Sequence, residues 1–146
     1  MTLLPLTPEQ NNLLCDMVMY AVEHYGDQEV DIPIEHFIHE GVYYRTCKVP
    51  KDTAIIGAFI KIPTTVIVSG DCYVTLGNTI GRLEGYNVIK AEAGRRQAFR
   101  AVEDTYITMC FKTESTEVKE AEKEFTDEWM LLTTNREELL KECVVL

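Results

Sequence analysis

The side chains best suited to nucleophilic, acid–base or metal chemistry are three histidines, His24, His36 and His39, and five cysteines, Cys15, Cys47, Cys72, Cys110 and Cys143. His36 and His39 stand three apart on an extended segment. Their side chains therefore tend toward opposite faces and make a poor metal-binding pair. The plain reading is surface or hydrogen-bonded core histidine. The cysteine number is odd, and no two sit at zinc-finger spacing. Cys47, Cys72 and Cys110 fall in strand-like runs, where a reduced thiol serves as a small apolar filler. No Ser–His–Asp or Cys–His set can be nominated from spacing, because such triads are spatial. Gly77-Asn78-Thr79-Ile80-Gly81 has the glycines of a phosphate loop but neither its lysine nor its helix, so a hairpin turn is expected.

The elements that must position these groups are mostly strands. Thr7-Pro8-Glu9-Gln10 combines a cap, a proline at the first helical position and a capping-box glutamine. Leu13, Leu14, Met17, Val18, Ala21 and Val22 follow at helical spacing, and Gly26 ends the pattern. This helix should pack on the sheet or on a second subunit. The chain is then extended from Val30 to Phe37, with Pro33 marking an edge or bend. Strand-like runs follow at Val42–Val49, Ala54–Ile60, Thr65–Val68, Cys72–Leu76, Asn87–Lys90, Gln97–Ala101 and Thr105–Phe111. Turn signals divide them at Pro50-Lys51-Asp52, Ser69-Gly70-Asp71, Gly77-Asn78, Glu84-Gly85 and Ala93-Gly94. Short strands so evenly spaced predict a sandwich or barrel. Glu114 to Glu124 is charged and helical in character. Asn135-Arg136-Glu137-Glu138 opens a short helix toward Cys143, before an apolar end, Val144-Val145-Leu146, that is either frayed or docked on a neighbour.

A chain of 146 residues with 46% apolar content fits one domain with a real core. The expected organisation is an N-terminal helix over 7–26, a β-barrel over 30–112 and an acidic helical tail over 113–146. The longest apolar run, Ala54 to Val68, is broken by Gly57, Lys61 and Pro63 and is too short for a membrane span. No basic-then-apolar leader opens the chain, so the expected location is the cytosol or a particle assembled inside a cell. The formal charge of −10 repels phosphates and disfavours direct nucleic-acid binding. Arg95, Arg96 and Arg100 form the single basic cluster.

Lys90-Ala91-Glu92-Ala93-Gly94-Arg95-Arg96-Gln97-Ala98-Phe99-Arg100-Ala101-Val102-Glu103-Asp104-Thr105 resembles the second conserved motif of the cupins. Thr65-Val66-Ile67-Val68-Ser69-Gly70-Asp71 resembles the end of the first. More narrowly, the chain is similar to small cupin-like proteins of tailed bacteriophages. The opening helix, the Ile32 to His36 segment and the Gly41-Val42-Tyr43 strand carry that likeness, which spans Thr7 to Lys112. The resemblance implies a mainly β, jelly-roll barrel. It also implies where a metal would be held, and there the chain departs from the family. No histidine, aspartate, glutamate or cysteine lies between Ala54 and Ser69. Gln97 takes the place of the second-motif histidine, and Glu92 that of the proline. Three or four donors are needed to fix a divalent ion, so the expectation is a cup without metal or cofactor.

By the same alignment Gln97 points inward, and Phe99 shares its face by alternation. Tyr73 joins them as cup lining, with Lys61 a further candidate on the strand that carries ligands in the family. Arg96 and Arg100 would then point outward. Such a cup could take a small ligand, but a barrel filled by its own side chains is the simpler expectation. Three functions fit. The first is a non-catalytic phage accessory or structural protein that works through protein contacts and self-associates. The second is a small-molecule binder or metal-independent isomerase-like enzyme, needing a histidine base and a tyrosine acid in the cup. The third is an inhibitor of a host defence protein.

Overall fold

The computed structural model describes residues 1–25 and 32–135. The expected helix is α1, Pro8–Tyr25. Its start is the anticipated capping box: Gln10 N donates to Thr7 Oγ1 at 3.2 Å, and Thr7 N donates to Gln10 Oε1 at 2.9 Å. Leu14 is buried, but Leu13 and Met17 of the same apolar stripe are exposed.

Eight strands form one mixed sheet among the described residues: β1 (Thr2–Leu3), β2 (Ile34–His39), β3 (Val42–Val49), β4 (Ala54–Ile56), β5 (Thr64–Leu76), β6 (Thr79–Ala91), β7 (Ala98–Ala101) and β8 (Thr105–Lys112). The main path runs β1-β6-β5-β8-β3-β2, and β7 joins β5 to β4. Only β1 pairs in parallel, on the edge of β6. No sequence signal marked it, since two residues are too few to show alternation.

Two turn assignments are corrected. Ser69-Gly70-Asp71 and Glu84-Gly85 do not end strands. They lie opposite each other inside an unbroken ladder from Thr64↔Ala91 to Leu76↔Thr79. Here glycine permits a bend without a break. The first half of β5 pairs with β8 and its second half with β7, so the long hairpin passes from one side of the barrel to the other. A Cβ on Gly70 would stand 2.6 Å from Thr105 Oγ1 and 2.8 Å from Asp104 O, which is why the crossing point carries none. The run expected over Ala54–Ile60 keeps only Ala54–Ile56 as strand. The turn at Gly77-Asn78 stands as expected.

Alternation sends Val66, Val68, Cys72, Val74, Leu83 and Ile89 inward to one core cluster, with Leu3 and Ala91. Burying each large aliphatic side chain contributes about 1.5–3 kcal/mol. A second cluster joins Tyr43 and Phe111 to Ala121 and Phe125 of α2 (Val118–Phe125). Two 3-10 turns follow, at Trp129–Leu131 and Thr133–Asn135. The calls on Gly26, on the helix toward Cys143 and on the Val144-Val145-Leu146 end lie outside the described residues. No described helix is long and apolar enough to cross a membrane.

Candidate functional site

Polar chemistry inside the barrel gathers where α2 meets β2 and β3. The register sets His36 opposite Arg45 and Ile38 opposite Tyr43, all on the inward face. Arg45 Nη1 donates to Tyr43 Oη at 3.1 Å and to Glu122 Oε2 at 2.9 Å. His36 Nδ1 lies 3.0 Å from the same phenol oxygen. A guanidinium only donates, so the phenol oxygen accepts from Arg45, while the direction of the His36–Tyr43 bond follows the imidazole tautomer. Burial, with Arg45 beside it, pushes the His36 pKa below its ordinary value and favours the neutral imidazole. Burial likewise pushes Tyr43 up, against the pull of Arg45. Glu122, 1% exposed, also accepts from Thr134 Oγ1 and from Asn135 Nδ2. Phe125 packs on Tyr43 with ring centroids 5.9 Å apart, and the Arg45 guanidinium lies over its face. The network is closed and hydrogen-bonded throughout, so it fastens α2 over the sheet. A proton could pass between His36 and Tyr43, but the phenol is fully buried.

The four residues expected to line the cup do not converge. Gln97 is buried beside β7, its carbonyl held by Gly57 N at 3.0 Å. Phe99 packs against the first core cluster and faces Val74. Tyr73 is on the opposite face of β5, exposed, with the Arg82 guanidinium over its ring at 5.6 Å. The alternation that sends Cys72 and Val74 in sends Tyr73 out. Lys61 lies in no strand; it is exposed and pairs with Asp127 at 2.7 Å. Arg100 is outward, as expected, but Arg96 is not. It lies buried, donating to Glu128 at 2.6 Å and to the Gly57 carbonyl. Arg95 makes only an isolated bridge to Ile60, and residues 96–97 precede β7 as irregular backbone, so the alternation of β7 does not govern them.

Cys15, Cys47, Cys72 and Cys110 are free thiols. Burial pushes Cys72 up to about 11 and raises Cys47 and Cys110, which favours the unreactive thiol form at these three. Among the described residues no three His, Cys, Asp or Glu side chains group closely enough to share an ion.

The outer face of β6, β5, β8, β3 and β2 is different in kind. One row across it reads Tyr86, Ser69, Tyr106 and Lys48. The next reads Val88, Ile67, Thr108, Thr46 and Glu35. A third reads Lys90, Thr65, Cys110, Tyr44 and Phe37. Only Glu35 among these is acidic, in a chain with 24 carboxylate side chains. Tyr86 is 70% and Val88 61% exposed, with Tyr106 and Phe37 close to half. Phe37 and Tyr44 stack across the strands at 5.1 Å. Exposed aromatic and apolar side chains thus share this face with the hydroxyl-bearing Ser69, Thr65, Thr108 and Thr46.

Sequence reasoning passed over both arrangements. The alternation of Ile34, His36 and Ile38 was the one signal available, and only the pairing of β2 with β3 and the return of α2, 77 residues from Arg45, bring the four groups together.

No protein-family model matches the chain, and no curated protein does. Solved structures do. The plu4264 protein from Photorhabdus luminescens superposes with a TM-score of 0.50 at 13% identity, over 60% of this chain and 81% of that one. KdgF from a Halomonas species gives 0.49 at 16% identity, over 60% and 84%. A cupin superfamily protein from Desulfitobacterium hafniense gives 0.47 at 11% identity, over 59% and 81%. At such identities the likeness is one of fold, and the fold is a mainly β, cupin-like barrel.

Proposed function

We propose that this cupin-like barrel is a non-catalytic accessory protein that works through protein contacts, pairing with a second copy of itself across the outer sheet face. The observation that carries this reading is that three adjacent rows of that face hold one carboxylate, Glu35, while Asp71 and Glu84 in the row beyond are paired with Arg82. Two chains of formal charge −10 repel each other over most approaches. They repel least where Tyr86, Val88, Ile67 and Tyr106 meet their counterparts, with Lys48 and Lys90 at the margins. A stable pair needs about 800 Å² per partner. Five strands at about 4.8 Å spacing offer a face of that order. The filled interior and the closed network under α2 support the same reading, since neither leaves a substrate an obvious seat. The placement in a phage rests on the sequence resemblance alone.

The test is a double substitution, Tyr86→Glu with Val88→Glu, read by analytical ultracentrifugation. Both positions are solvent-facing, so the barrel should keep its thermal transition while the pair dissociates. A wild-type chain that stays monomeric at high concentration contradicts the reading, as does a variant that pairs unchanged.

A second reading, a metal-independent isomerase-like enzyme or binder, is favoured by one contact, His36 Nδ1 to Tyr43 Oη at 3.0 Å. It has the histidine and tyrosine that such chemistry asks for. It predicts a small molecule retained by the purified protein and lost on His36→Gln.

A further inference from the structure

One long edge of the sheet is paired by no described strand over most of its length. β6 bonds to β5 along all 13 of its residues, but β1 meets its other edge only at Lys90 and Ala91. The unbroken register fixes which backbone groups are left over. The two-residue turn at Gly77-Asn78 closes on Leu76 and Thr79, so odd-numbered residues of β6 bond toward β5. Glu92 N, just past the strand, donates to Leu3 O of β1 at 2.8 Å, so even-numbered residues bond the other way. The N–H and C=O groups of Ile80, Arg82, Glu84 and Tyr86 therefore point away from the sheet, and none has a backbone partner among the described residues. Asn87 Nδ2 donates to the Glu84 carbonyl at 3.1 Å, which leaves that oxygen a second lone pair. An edge of this kind is a template for another strand.

The side chains of the same four residues lie on the outer face and run apolar, basic, acidic, apolar. Ile80 is 71% exposed, and Arg82, Glu84 and Tyr86 are exposed with it. Arg82 holds Asp71 through Nε and Nη2, which leaves Nη1 to donate elsewhere. Reversed in direction and in sign, the series is unchanged, which is the self-complementarity a two-fold pairing requires. An antiparallel pair of β6 strands centred on Leu83 sets Arg82 opposite the second copy's Glu84, and Ile80 opposite its Tyr86, each twice. Gly81 then falls opposite the second copy's Gly85, so the bend at Gly85, with φ of +75°, meets no side chain. Moving the centre to Arg82 or to Glu84 sets like charges against each other, which opposes pairing.

We infer that β6 of one copy adds antiparallel to β6 of a second through Ile80, Arg82, Glu84 and Tyr86, carrying the sheet from one chain into the next. Backbone bonds supply the attraction, and the two Arg82–Glu84 pairs fix the register. The four residues have no net charge, unlike the chain of −10 around them, so two copies can approach along this edge. Four residues a side fall far short of the roughly 20 of a stable interface, so the contact is weak and forms above the concentration at which the outer faces pair. Strands joined edge to edge leave those faces open, and face-paired copies can assemble into four.

Sedimentation across a concentration series, with amide hydrogen exchange on the same samples, tests this. A four-chain species should build toward millimolar concentration, and the amides of Ile80, Arg82, Glu84 and Tyr86 should gain protection as it does. Arg82→Glu and Glu84→Arg should each weaken that step about tenfold or more. The two together should restore it, because the swapped charges again stand opposite each other, and Arg at 84 again faces Asp71. Both positions are exposed, so the thermal transition should hold throughout. Protection that persists when Val88→Glu disables the outer face supports the edge contact by itself, since Val88 lies outside the four. A two-chain assembly indifferent to both reversals, with these amides exchanging freely at every concentration, overturns the edge contact and leaves the face pairing standing. A charge swap that restores nothing also overturns it.

Discussion

Glu122 carries more consequence than any other single carboxylate in the described chain. It comes from α2, is shielded from water, and ends the hydrogen-bonded line from His36 through Tyr43 and Arg45. Removing one member of a buried pair strands the other. Glu122→Ala should therefore cost about 3–5 kcal/mol in a urea unfolding titration. Replacing both partners, Arg45→Met with Glu122→Met, should recover much of that loss. A Glu122→Ala chain as stable as wild type would mean the network is ornamental. His36 adds a pH dependence. Its folded pKa lies below the ordinary 6.5, so below 6.5 the unfolded chain takes up this proton more readily than the folded one. The contribution is present above 6.5 and is lost as the pH falls through the depressed folded value. The urea midpoint of the wild type should drop on acidification across that window, and that of His36→Gln should drop less. Equal drops would contradict the neutral, hydrogen-bonded imidazole.

Among the elements, the β5–β6 hairpin decides the architecture. It serves both sides of the barrel only because the chain bends at Gly70 and Gly85 without breaking its ladder. The two glycines should answer substitution differently. Gly70 has φ of +148° and a Cβ there meets Thr105 and Asp104, so Gly70→Ala should cost about 2–4 kcal/mol. Gly85 has φ of +75° and open space, so Gly85→Ala should cost about 1–2 kcal/mol, from backbone conformation alone. Thermal unfolding of the two variants compares them directly, and equal losses would remove the packing argument. The same glycines mark what the sequence made legible. Alternation over Val42–Val49 and Thr105–Phe111, and the capping box at Thr7, were readable because each is a local pattern with a local cause. Ser69-Gly70-Asp71 read as a turn because glycine announces a change of direction but not whether hydrogen bonding continues across it. Tyr73 and Lys61 were placed in the cup by analogy with related strands. Alternation from the buried Cys72 and Val74 places Tyr73 outside, and Lys61 turned out to sit ahead of the strand altogether. The Arg45–Glu122 contact joins residues too distant in sequence for any periodicity to report.

At the scale of the whole molecule, charge and shape divide the surface unequally. Of twenty-four acidic side chains only Glu35 falls in three adjacent rows of one sheet face, and those rows are aromatic and hydroxyl-bearing. The inside of the barrel is committed to packing and to anchoring α2. The function we propose therefore lies on the outside, in a pair of copies meeting across the outer sheet face. Native mass spectrometry of the purified protein tests that assignment most directly. The expected spectrum has the two-chain mass as its main species at micromolar concentration, giving way to single chains when Tyr86 and Val88 are both replaced by glutamate. A wild-type spectrum of single chains alone would contradict it.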